Sequence, residues 1–386
     1  MTAPGRLLAR ITALTALALL ASLASCTFGR VLRYRESAVD DWRIFDARAM
    51  HPSPMPFAFV EAPDAATRRI NVTFGGRTFD LDEEMAKNDT LALLVLHHDK
   101  LVYERYFNGH SRKERSMSFS MAKSFTSILL GQAIADGKIA LDEPVTERVP
   151  ELAERGFDRV RLAHLLQMTG GTNYRENDWP TGRHPHFYYT EHLAPALLRL
   201  RVVDEPGTAW RYRSGETQLL GLALSRALAP ETITSYMDRR LWMPLGMESE
   251  GYWSLDSDEG GLEKVFCCLA ARARDFLKFG RLMLRQGDWQ GTQLVPREWV
   301  AASTSLDETE GSPWDYQYAW WIADPRDGDF FAGGHLGQYL YVSPKRDAVV
   351  LRLGTSRGKW SREEWRSLLP TLLDDIVLTD VSAIGS

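Results

Sequence analysis

The hydrophobic period of this chain changes twice, and that change limits the folds open to it. Leu91 to His97 is an apolar run, His98-Asp99-Lys100 supplies turn residues, and Leu101 to Phe107 alternates, the signature of a β-hairpin. Strand-like patterning returns only past Tyr316, at Tyr318 to Ala323, Tyr339 to Val342 and Ala348 to Leu353, with Pro344-Lys345-Arg346-Asp347 as the turn between the last two. Between these ends the apolar residues recur at helical spacing, in Leu162 to Met168, Leu193 to Leu200, Thr217 to Ala227 and Ala270 to Leu284. Glu363 to Val377 reads as a closing amphipathic helix. The pattern predicts an α/β (α+β) fold. Its antiparallel sheet is built from both chain ends and flanked by helices, and a mainly helical region is inserted at about 138–310. The 386 residues suffice for one large domain or two intimately packed ones, and no repeat or linker divides residues 76–386.

Residues 27–75 carry several prolines and weak periodicity, and are expected to form a lead-in lying on the surface. Before them, Arg6 and Arg10 precede a stretch from Ile11 to Ala24 that is apolar or small throughout and short for a membrane span. It ends in Leu23-Ala24-Ser25-Cys26, which resembles a bacterial lipobox. That resemblance implies removal of the segment before Cys26, lipidation of Cys26, and an exported protein anchored to the cell envelope. With Thr27 next, it implies the outer membrane or the periplasmic face if the cell is Gram-negative.

Formal net charge is −5 and no basic run occurs, so a nucleic-acid partner is not expected. Three cysteines make no disulfide framework; a bridge between neighbours is strained, so Cys267 and Cys268 are expected to be buried small apolar residues, with a reactive redox pair as the alternative. His97-His98 and His184-Pro185-His186 tempt a metal reading, but there is no His-Glu-x-x-His and no zinc-type cysteine pair. The Gly-x-Ser-x-Gly pattern of α/β-hydrolases is matched at Gly354-Thr355-Ser356-Arg357-Gly358, but that segment leads into charged residues and opens no apolar helix, so it reads as a surface turn rather than a nucleophile elbow.

Ser120 and Lys123 stand at i, i+3, a spacing that puts both side chains on one helix face, and an apolar stretch from Ser127 to Ile134 follows. A nucleophilic serine needs a base, and a lysine serves as one only where burial or neighbouring groups leave it neutral part of the time. A serine at a helix start also keeps its own N–H free to donate to an oxyanion. Ser356-Arg357-Gly358-Lys359 repeats the spacing but opens no apolar helix, and reads as a surface turn. Two further segments add chemistry. Tyr212-Arg213-Ser214 precedes an apolar helix and offers a proton relay in Tyr212. Gly333-Gly334-His335-Leu336-Gly337-Gln338 leads into a strand whose backbone can approach a substrate closely, with the N–H of Gln338 as second oxyanion donor. Asn173 to Tyr189, rich in aromatics and histidines, either lines a cleft or forms an aromatic cluster under a loop.

Taken in order, Ser120-x-x-Lys123, Tyr212-x-Ser214 and His335-x-Gly337 resemble the serine β-lactamase and penicillin-binding-protein superfamily. Supporting segments are Tyr103 to Phe107, Leu165 to Gly171, Glu205-Pro206-Gly207, Pro244 to Met247 and Ala273 to Phe276. Within it the chain is similar to the class C-like branch, which also holds esterases and 6-aminohexanoate-dimer hydrolases. The resemblance implies a serine hydrolase that acts through an acyl-enzyme on a small ester or amide, without metal or organic cofactor. Ser120, Lys123 and Tyr212 would be catalytic, the N–H groups of Ser120 and Gln338 would form the oxyanion hole, and Ser214, His335, Gly337, Tyr174 and Trp179 would be substrate-binding. In dedicated β-lactamases the second motif usually ends in Asn and the third begins with Lys, so Ser214 and His335 argue against β-lactam recognition. β-Lactamase or D-alanyl carboxypeptidase activity, and a silent cell-wall-binding module, are the alternatives.

Overall fold

The computed structural model describes residues 27–384 except 178, 259, 309–312 and 314; side chains are described only as far as residue 377. The proposed signal segment and Cys26 lie outside the described residues. Eight strands form the main sheet: β1 (Val60–Glu61), β2 (Thr90–His97), β3 (Lys100–Tyr106), β4 (Tyr316–Gln317), β5 (Trp320–Asp324), β6 (Asp329–Gly334), β7 (Gln338–Ser343) and β8 (Ala348–Gly354). Their order is β4-β5-β6-β7-β8-β2-β3-β1, so the join between the two chain ends is the antiparallel β8–β2 ladder, running from Ala348 opposite His97 to Gly354 opposite Thr90. All neighbours are antiparallel except the edge strand β1, which runs parallel to β3.

Five helices position the site: α1 (Thr27–Tyr34), α2 (Ala122–Ala135), α3 (Ser214–Leu228), α4 (Ala273–Leu284) and α5 (Arg362–Ile384). α4 and α5 cover opposite faces of the sheet. Leu94, Leu96, Leu340 and Leu351 belong to the core on the α4 side with Phe276 and Phe279. Leu93, Val95, Tyr341 and Val350 pack with Trp365, Leu368 and Leu372 of α5. Two covered faces explain why β2 reads as a continuous apolar run.

Three expectations change. Residues 27–75 are not merely a surface lead-in: Val31, Phe45, Met50, Phe59, Ile70 and Val72 are buried. Ala47–Met50 is also an edge strand of a second sheet, ordered Ala47–Met50, Gly251–Ser254, Leu269–Arg272, Arg115–Met117. Apolar residues delivered singly by short elements carry no period. The expected helix Ala270 to Leu284 begins instead as the strand Leu269–Arg272, and the inserted region thus holds a small sheet beside its helices. β6 was not anticipated, because its two terminal glycines, Gly333 and Gly334, read as loop.

Candidate active site

Phe119–Met121 forms a single 3-10 turn that runs into α2, and every residue of α2 from Ala122 to Ala133 is buried. Gly131 lets α2 press against the indole of Trp299, where a Cβ would overlap the ring. The turn leaves Ser120 half-exposed at the floor of a cavity of about 690 Å³, while Lys123, one turn on, is only 1% exposed. Lys123 Nζ donates to Ser120 Oγ at 2.8 Å and to the carbonyl of Phe266 at 2.8 Å. Both acceptors are neutral oxygens, which hold the amine in place without supplying negative charge.

Lys123 Nζ also stands 5.0 Å from the centre of the Tyr212 ring. Tyr212 lines the cavity and stacks on Trp321 of β5 at 5.9 Å. Its loop is held from both sides. Arg211 N–H donates to the Met168 carbonyl at 3.1 Å, and buried Arg213 reaches Asp204 at 3.1 Å and Glu216 at 3.3 Å. Glu216 in turn accepts from the N–H groups of Gly170 (3.0 Å) and Thr172 (3.1 Å), which ties the Gly170-Gly171 turn to α3. Burial pushes the Glu216 carboxyl above its usual range, and Arg213 and the Thr172 and Gly170 bonds oppose that rise.

The cavity's far wall is the hairpin between β6 and β7. Gly334 pairs with Gln338 and lies against the carbonyl of Ser118, where a side chain would collide, so the strand end sits directly on the Phe119–Met121 turn. His335 is exposed, lines the cavity and meets the Phe119 ring edge-on at 5.5 Å. Gly337 and Gln338 are buried. The Gln338 amide donates to the carbonyls of His335 (3.1 Å) and Gly354 (2.7 Å), and Arg352 donates to that of Gly337 at 2.6 Å.

The remaining anticipated residues lie around the cavity rather than in its wall. Ser214 is buried and donates through Oγ to Glu176 at 2.6 Å. Tyr174 is buried, its hydroxyl 3.0 Å from His184 Nδ1. Trp179 is 75% exposed and does not line the cavity. Cys267 and Cys268 are buried as expected, but their sulfurs are bonded to each other. The backbone at Cys268 is left-handed (φ 68°), and Cys267 borders the cavity.

Several cavity residues were not foreseen: Glu176, Phe266, Trp321, Arg357 and Arg362. Glu176 pairs with His184 at 3.2 Å, and the Arg362 guanidinium lies 5.4 Å over Trp321. Arg357 stands in the second Ser-x-x-Lys segment, and Phe266 contributes a backbone carbonyl that no side-chain pattern marks. Among the described residues no group of three or more His, Cys, Asp or Glu side chains is arranged to hold a metal ion.

A sheet joined from both chain ends, with a Ser-x-x-Lys turn buried against it, defines the serine β-lactamase-type fold, and the family model Beta-lactamase matches residues 80–369. The chain belongs to this family, as a serine hydrolase of the β-lactamase fold. It is 26% identical to the 6-aminohexanoate-dimer hydrolase of Paenarthrobacter ureafaciens, over 83% of this chain and 88% of that protein. A solved structure from Bacillus anthracis bearing the same enzyme designation superposes with a TM-score of 0.78 at 24% identity, covering 90% of this chain and 94% of that one. A class C β-lactamase in complex with cefoxitin superposes with a TM-score of 0.58 at 16% identity, over 76% and 96% of the two chains.

Proposed function

We propose that this protein hydrolyses an ester or linear amide through an acyl-enzyme on Ser120, with Lys123 as the base. The observation that carries the reading is the 2.8 Å bond between Lys123 Nζ and Ser120 Oγ at the floor of the cavity. Lys123 in its neutral form takes the hydroxyl proton as Oγ attacks the substrate carbonyl carbon. The backbone N–H groups of Ser120 and Gln338 receive the charge that develops on the carbonyl oxygen. The proton passes from Lys123, directly or by way of Tyr212, to the departing oxygen or nitrogen as the carbonyl–leaving-group bond breaks. Water then attacks the acyl-enzyme, giving a proton back along the same path and releasing Ser120 and the acid.

His335 at the mouth supports a neutral ester or amide over a β-lactam, because an imidazole carries less positive charge at neutral pH than an ammonium. The N-terminal segment supports export and anchoring at a membrane surface through lipid on Cys26.

The test is steady-state hydrolysis of p-nitrophenyl acetate and butyrate by the wild type, Ser120→Ala and Lys123→Ala, with nitrocefin alongside. The expected result is ester turnover that both substitutions abolish, with weak or no nitrocefin cleavage. Turnover that survives Ser120→Ala would overturn the mechanism.

A further inference from the structure

The segment that opens the described chain also walls the cleft. α1 is docked on the Arg183–Tyr189 helix by Val31 (5% exposed) and by Tyr34 stacked on Tyr189 at 5.9 Å, and the Arg30–Glu191 ion pair at 2.6 Å ties it to the segment just after that helix. Its other face is apolar and open. Phe28 and Leu32, one turn apart, are 47% and 54% exposed. Phe28 shares a shallow groove with Pro180 and Thr181, whose neighbour Trp179 is also exposed. Arg33 and Arg35 are exposed beside this face, and Arg35, Glu36 and Ser37, directly after α1, line the cavity that holds Ser120.

We propose that the Phe28–Leu32 face of α1 is where the folded domain rests on a lipid bilayer, so that the Ser120 cleft opens beside the membrane. The occupant is argued from the chain that precedes the helix. The apolar stretch Ile11 to Ala24 ends three residues before α1, and Cys26 is the residue next to it. Whether acyl chains on Cys26 or the apolar stretch itself enters the lipid, the point of entry adjoins Thr27. An eight-residue helix spans only about 12 Å, so the whole face stays within that distance of the entry point. Amphipathic elements of this kind lie in the interface with apolar side chains down, and arginines at their edge favour anionic headgroups. Resting on the hydrolase reading above, the consequence concerns substrate: an ester or amide that partitions into the bilayer reaches the cleft rim at Arg35–Ser37 without crossing the aqueous side of the protein.

The experiment uses the full chain in vesicles of phosphatidylcholine with one quarter phosphatidylglycerol. A photoreactive benzoylphenylalanine is placed at Leu32, and Leu32→Asp is assayed in parallel on soluble p-nitrophenyl butyrate and on vesicle-borne p-nitrophenyl palmitate. The expected result is adducts to lipid at position 32. Leu32→Asp should change butyrate turnover less than twofold while palmitate turnover falls at least fivefold. No lipid adduct, an adduct to a second copy of the chain, or unchanged palmitate turnover would overturn the proposal. An equal fall on both substrates would mark a damaged fold and leave the adduct to decide. Because the adduct is read without turnover, it stands or falls separately from the role of Ser120.

Discussion

Lys123 has two bonds with different consequences. In the proposed mechanism the bond to Ser120 Oγ is the path for the proton, and the bond to the Phe266 carbonyl aims the amine. Lys123→Arg should therefore be as inactive as Lys123→Ala, since a guanidinium keeps its proton throughout the accessible pH range. A loss of about 10²–10⁴-fold in kcat/KM, with folding intact by circular dichroism, is the expected outcome for each. A second buried lysine makes a prediction about stability. Lys264 is fully buried, and burial pushes its ammonium down to about 7, with Asp256 opposing that shift. Its Nζ donates to the Thr190 carbonyl at 3.0 Å. Between pH 7 and the ordinary lysine range the unfolded chain binds the proton that the folded chain has released, so this group adds stability as pH rises through that window. Below pH 7 both states are charged and the full burial penalty remains. Thermal melts of Lys264→Met against wild type should accordingly show the wild type gaining on the variant from pH 6.5 to pH 9.

At the scale of elements, the turn that carries Ser120 is set by what presses on it. α2 tolerates no Cβ at Gly131 without displacing Trp299, whose Nε1 donates to the Ser127 carbonyl at 3.1 Å. Gly131→Ala should cost about 1–3 kcal/mol through overpacking, enough to outweigh the gain of up to about 1 kcal/mol in helix propensity; urea denaturation would measure it. The hairpin wall depends on Arg352, a fully buried side chain that donates to the carbonyls of Gly337 (2.6 Å), Asn88 (2.6 Å) and Ser356 (2.9 Å) and to Thr90 Oγ1 (3.0 Å). Arg352→Met leaves three carbonyls without this donor, at about 1–3 kcal/mol for each that stays buried and unsatisfied. The expected outcome is a lowered Tm together with a raised KM, as the His335–Gly337 turn loosens over the cavity. These contacts show where patterning stops being informative. The helix after Ser120 was legible because most of its second half, from Ile128 to Ala135, is apolar or small, whereas β6 was hidden by its glycines and Leu269–Arg272 by its continuity with α4.

Across the whole molecule, the N-terminal segment is part of the fold. It places Val31, Phe45 and Met50 in the main core and a strand on the second sheet. A chain beginning at residue 51 should lose about 1.5–3 kcal/mol for each such side chain and expose the Gly251–Ser254 edge. Insoluble expression or a markedly lower Tm than a chain beginning at residue 27 is the expected result. What the sequence by itself determined was the set of elements with a strong period and the chemistry carried by local spacing. These are the two-ended sheet, the buried helix, the Ser120–Lys123 pair and the Tyr212 and His335 loops. Only the tertiary structure decided which distant groups complete the site. The Phe266 carbonyl on Lys123, Glu176 on Ser214, Arg357 and Arg362 in the cavity, and Arg35–Ser37 at its rim all come from segments far apart in the chain. Their placement follows from loop packing against the sheet, and loop packing leaves no period in a sequence, because each contact is made once by a single residue.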